Sequence, residues 1–146
     1  MSQADTPIVL KQLSGLLERD TFARELGIEL ISASPGEADV RLIVTSAHMN
    51  FLAWTHGGVI FALADTAFGL ACNSRDKVSV GIDVHMAYLS GVREGDMIEA
   101  HASEISRTRR KAVYRVDVRR PADDTAIATF TGTVIVTEQD VAQLLE

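Results

Sequence analysis

Sixteen consecutive residues, Gly57 to Cys72, carry one charged side chain between them, Asp65, and no other stretch constrains the fold as strongly. Val59, Ile60, Phe61, Leu63, Phe68, Leu70 and several alanines put apolar groups on every helical face, so the spacing predicts a buried helix and not an amphipathic surface one. A bilayer span takes about 20 apolar residues, and no run of that length occurs. The remaining chain must therefore enclose this helix. With 146 residues there is room for one domain, 1–146, burying roughly 70% of its unfolded surface.

The flanking patterns say what does the enclosing. Ile8, Leu10, Leu13, Leu16 and Leu17 recur at helical spacing and predict a first helix over about 8–19. A short second helix is expected from Asp20, as N-cap, to Gly27. From there the period changes to that of strands: Ile28 to Ser32, a turn at Pro35-Gly36-Glu37, then Ala38 to Val44. Val78 to Leu89, Met97 to Arg107, Ala112 to Arg120 and Thr125 to Thr137 read as four more strands. Their connections, Gly91 to Asp96 and Pro121 to Asp124, are too short for parallel crossovers, so the sheet is expected to be antiparallel. Gly81, Asp83 and His85 alternate along one of these strands and are expected to share a face.

Asp65 requires an explanation, because a carboxylate in an apolar helix is unfavourable unless it is paired or used in chemistry. Either it accepts bonds structurally, from Thr66 or a strand amide, or it reacts. His56-Gly57-Gly58 stands at the helix start, where glycines leave backbone N–H groups open to an anion or a polarised carbonyl. Asn50 offers an amide six residues upstream of His56. Eight residues separate Gly57 from Asp65, about 12 Å along a helix, so one carbonyl cannot touch both. If the two act on one atom, they come from two antiparallel copies of the helix across a dimer.

The run Asn50-Phe51-Leu52-Ala53-Trp54-Thr55-His56-Gly57-Gly58, with Leu63-Ala64-Asp65-Thr66-Ala67-Phe68-Gly69 and Ala71-Cys72-Asn73-Ser74, resembles the hotdog-fold acyl-CoA thioesterases of the phenylacetic acid degradation (PaaI) type. Tyr88-Leu89 and Gly95-Asp96 extend the likeness over about residues 20 to 137. The resemblance implies an α+β hotdog fold, with a long central helix wrapped by a five- or six-stranded antiparallel sheet. It also implies homodimers sharing a continuous sheet and pairing into tetramers. Asp65 would be general base or nucleophile, the Gly57 amide the oxyanion donor from the partner chain, and Asn50 and His56 the groups that position water and substrate. Gly58 and Thr66 would flank the substrate. Gly81 stands where many relatives carry Ser or Thr as a second partner for the water, and Gly91 replaces a common proline. Acyl-CoA is the implied substrate, with phenylacetyl-type groups favoured, and no separate cofactor is expected because CoA is part of the substrate. Arg107, Arg109, Arg110 and Lys111 form the densest basic cluster, either a solvated turn or a contact for the CoA phosphates.

Composition narrows the alternatives. Fourteen Lys and Arg against 20 Asp and Glu give a net charge of -6, which disfavours nucleic-acid partners. One cysteine, Cys72, excludes an internal disulfide and suits a reducing compartment, and a polar N-terminus without signal-peptide character points to the cytoplasm. Four histidines without metal-site spacing argue against a metal. Cys72 lacks an activating base, and no Gly-x-Ser-x-Gly occurs. A hotdog hydratase or dehydratase, and a non-catalytic acyl-CoA-binding module, remain the competing readings.

Overall fold

A computed structural model describes residues 6–146. Helix α1 (Thr6–Glu18) buries Val9, Leu13 and Leu17, one residue per turn. It starts earlier than the apolar spacing suggested, because Pro7 falls in the first turn, where a missing N–H goes unnoticed. Helix α2 (Thr21–Leu26) begins as expected: Asp20 Oδ1 accepts from the Ala23 amide at 3.0 Å, and Gly27 closes it with φ 87°.

Six strands follow: β1 (Glu29–Ser34), β2 (Glu37–Ile43), β3 (Lys77–Tyr88), β4 (Met97–Arg107), β5 (Lys111–Arg120) and β6 (Thr125–Asp140). They form one sheet in the order β1-β2-β4-β5-β6-β3, every pair antiparallel. This is the expected α+β hotdog arrangement, with six strands. Strand β6 runs three residues further than its Thr, Ile and Val content indicated, because Lys77 of β3 still pairs with Asp140. Val141–Leu145 then make a 3-10 turn. The central helix α3 (Gly57–Cys72) connects β2 to β3 and packs across β2, β4, β5, β6 and β3. None of the helices among the described residues is long and apolar enough to cross a membrane.

Phe68 organises the contact between helix and sheet. Its ring lies 5.9 Å from that of Tyr114 and 5.3 Å from that of Phe130, between centroids. It also covers two glycines on neighbouring strands. A Cβ at Gly132 would approach the ring to 2.6 Å, and one at Gly81 to 3.0 Å. The glycine at position 81 is thus the counterpart of a large residue at 68.

Two expectations fail here. The pairing register slips between Gly81 and Asp83, a bulge that leaves Ile82 as the extra residue. Gly81 pairs with buried Val134 and faces Phe68, whereas beyond the bulge Val84 pairs with Gly132 and Met86 with Phe130. Asp83 and His85 therefore point away from α3, opposite to Gly81 and not beside it. Nor is α3 buried on all sides. Gly57, Phe61, Asp65 and Gly69 follow one another at four-residue spacing, and none of the four is buried. Off this row only Gly58 and Thr66 escape burial. The helix is apolar all round, yet one face is open.

Candidate active site

The open face of α3 begins at its N-terminus. His56 is the N-cap, and its Nδ1 accepts from the Gly58 amide at 2.8 Å. The expectation that both glycine amides stand free is therefore corrected: the cap engages that of Gly58. The Gly57 N–H donates to nothing among the described residues. His56 thus orients the helix start, with Nδ1 tied down.

Tyr88, which the sequence marks only through the family resemblance, meets this same point. Its hydroxyl donates to the Gly57 carbonyl at 2.9 Å, and a Cβ on Gly57 would lie 3.3 Å from its ring. The β3 bulge is what turns Tyr88 inward, so strand alternation alone gave no signal for it. Thr55, Gly57, Ile60, Tyr88 and Leu89 line a cleft there.

Asn50 holds the loop that leads into α3. Its Oδ1 accepts from the Leu52 amide at 2.9 Å and from the Trp54 amide at 3.2 Å, in a turn where Ala53 takes a φ of 60°. The carbonyl end is thereby occupied, and the Nδ2 end donates to no group among the described residues.

Two turns along, Asp65 reaches solvent between two grooves. One is lined by Leu16, Asp20, Phe22, Leu70, Val78 and Leu144, together with Asp65 and Thr66. The other runs between α3 and β3, past Phe68, Ser79, Gly81, Ile82 and Val84. Packing around Asp65 desolvates the carboxylate and raises its pKa above the ordinary 3.8, and the charge of Asp20 raises it further. Thr66 donates its hydroxyl to the Ala62 carbonyl at 2.7 Å, which leaves it able only to accept. Cys72 is buried, and burial followed by repulsion from Asp65 pushes its thiol up to about 12, so it is no nucleophile at neutral pH.

The basic cluster divides. Arg107 turns inward at the far end of α3, where its Nη1 lies 3.8 Å from Glu104. Glu104 accepts from Arg75 Nε and Nη2, each at 3.1 Å, and from the Tyr114 hydroxyl at 2.8 Å. Arg109 and Arg110 project into solvent from the β4–β5 hairpin, whose turn Thr108 closes through Lys111. Arg107 thus belongs to a structural network and is not presented together with the other two.

A helix cradled by an antiparallel sheet defines the hotdog class of fold, and here a free amide and a carboxylate lie along the one open row of that helix. The thioesterase superfamily pattern matches residues 54–127. The acyl-coenzyme A thioesterase PaaI of Escherichia coli is 34% identical over 117 residues, spanning 80% of this chain and 83% of that protein. The structure of the E. coli PaaI protein, from the phenylacetic acid degradation operon, matches with a TM-score of 0.87 at 30% identity, covering 90% of this chain and 95% of that one. A Streptococcus mutans protein solved bound to acetyl CoA matches with a TM-score of 0.72 at 26% identity, over 75% and 88% of the two chains. The chain belongs to the thioesterase superfamily and is of the PaaI type.

Proposed function

We propose that this protein hydrolyses acyl-CoA thioesters to the free acid and CoA, with aryl-acyl groups such as phenylacetyl and hydroxyphenylacetyl as preferred substrates, in a site built by two copies of the chain. The carrying observation is the open row of α3, which holds the Gly57 amide and the Asp65 carboxylate about 12 Å apart on one face. A two-fold axis passing by Phe61, midway between them, sets Gly57 of one copy opposite Asp65 of the other. The same surface continues onto β3, an edge strand of 12 residues with Val80, Ile82 and Val84 exposed. An edge so long and apolar calls for a partner strand. A second β3 continues the sheet, and paired dimers then make the tetramer.

In that site the thioester oxygen lies at the Gly57 amide, a donor fixed in advance for the charge that develops on the carbonyl. Asp65 takes the proton of the attacking water, or attacks the carbonyl itself, and both routes need it ionised. In the first route Asp65 passes that proton to the departing CoA thiolate; in the second, water hydrolyses the acyl–Asp65 anhydride and supplies the proton, so both routes return Asp65 ionised. Asn50 and Thr66 offer the remaining polar contacts. Leu16, Phe22, Leu70, Val78 and Leu144 beside Asp65 supply an apolar wall for an aromatic acyl group. With its Nδ1 engaged in the cap, His56 is poorly placed for the second proton transfer of a hydratase.

The test is thiol release from a panel of acyl-CoAs, since hydration and plain binding free no CoA. Asp65→Asn should lower kcat at least about 100-fold while leaving substrate affinity within a few-fold. A variant with near-native turnover would sink the assignment, and equal rates on aryl and short straight-chain esters would remove the aryl preference.

A further inference from the structure

Trp54 stands three residues before α3, and Gly91 lies in the loop from β3 to β4. The two meet so closely that a Cβ on Gly91 would fall 2.8 Å from the indole, which accounts for glycine there in place of proline. Thr55 ties the same loop to the start of the helix, its amide and hydroxyl both donating to the Val92 carbonyl at 2.9 and 2.8 Å. From this anchored loop Arg93 lays its guanidinium over the Trp54 ring, 4.1 Å from the centroid. Neighbouring Arg120 is neutralised by Asp96 at 3.2 Å and by Asp123 at 2.9 Å. Arg93, exposed, has no carboxylate at ion-pair distance among the described residues. An unpaired guanidinium resting over an indole face keeps N–H groups of its fork free, an arrangement that suits a phosphate.

Its position gives it a use. The cleft of Trp54, Gly91, Arg93 and Arg120, whose Asp96 and Asp123 are engaged by Arg120, shares Gly91 with the cleft of Gly57 and Tyr88. We infer that Arg93, held by Trp54, is the subsite for the phosphorylated nucleotide end of the CoA ester. The inference rests on the acyl-CoA reading above. It moves the main phosphate contact away from Arg109 and Arg110, which have no aromatic platform among the described residues.

The test compares phenylacetyl-CoA with phenylacetyl-pantetheine, which lacks the nucleotide. Arg93→Ala should raise KM for the CoA ester about tenfold, leave kcat within about twofold, and leave KM for the pantetheine ester unchanged. Arg93→Lys should recover part of the loss, since it keeps the charge without the guanidinium fork. Arg109→Ala and Arg110→Ala should change neither ester. An unaltered KM in Arg93→Ala, an equal rise with both esters, or a loss confined to the Arg109 and Arg110 variants would overturn the subsite. If the native protein releases no thiol from either ester, the acyl-CoA reading itself fails. Titration calorimetry with adenosine 3′,5′-bisphosphate then decides the subsite alone: binding abolished by Arg93→Ala supports it, and absent binding overturns it.

Discussion

Asp65 illustrates how a useful group opposes stability. Desolvation and the facing Asp20 both disfavour its ionised form, so its pKa is raised in the fold. For an acid shifted this way the ionised state is the strained one, and its contribution to stability falls as pH rises through its titration. Asp65→Asn should therefore be inactive at pH 7 and yet melt at the native temperature or above it, as thermal denaturation will show. The acid limb of kcat/KM, which follows the free protein, should lie above 3.8. Asp20→Asn keeps an equally good cap for α2 and removes one of the two causes, so it should move that limb to lower pH. A limb that stays in place would show that Asp20 does not act on Asp65.

Helix α3 and strands β3 and β6 fit through one side chain. Phe68 presses on Gly132 and Gly81 so closely that each glycine depends on the ring and the ring on each glycine. Gly132→Ala should lower the free energy of unfolding in urea by about 1–3 kcal/mol, the ordinary penalty for overpacking. Adding Phe68→Leu should recover part of that loss, whereas additive losses would refute the coupling. The same contact disfavours a side chain at position 81, where a serine Cβ would lie 3.0 Å from the ring. The bulge next to it has one local hint, the glycine itself, since a glycine inside a strand often marks a bulge. A bulge is a two-strand property, decided by how β3 and β6 register, and from Asp83 onward it reverses which side chains face the helix.

The assembly carries the strongest test. Asp65→Asn and Gly57→Val should each give an inactive homodimer, the second because a side chain at 57 meets Tyr88 and fills the amide's approach. In a mixed dimer one site carries both lesions and the other neither, so subunit exchange between the two inactive proteins should restore activity towards half the native value per dimer. Circular dichroism and gel filtration, against a protomer of 15.8 kDa, establish beforehand that both variants fold and associate. Verified mixed dimers that stay inactive would mean the two residues do not act across an interface.

Much of this protein is legible in one dimension because it rests on local periodicity and caps. The predominantly apolar α3, the Asp20 cap, the Gly27 and Gly36 turns and the alternating strands each report a near-neighbour preference. Asp65 and Gly57 are conspicuous for the same reason, one as a lone charge and the other as a glycine at a helix start. Which face of α3 stays open, that His56 takes up the Gly58 amide, that Tyr88 reaches Gly57, and that Arg93 and not the hairpin arginines lies on an aromatic ring all depend on residues far apart in the chain. Such contacts are set by packing and strand register once the sheet closes on the helix. No periodicity within a single segment encodes them.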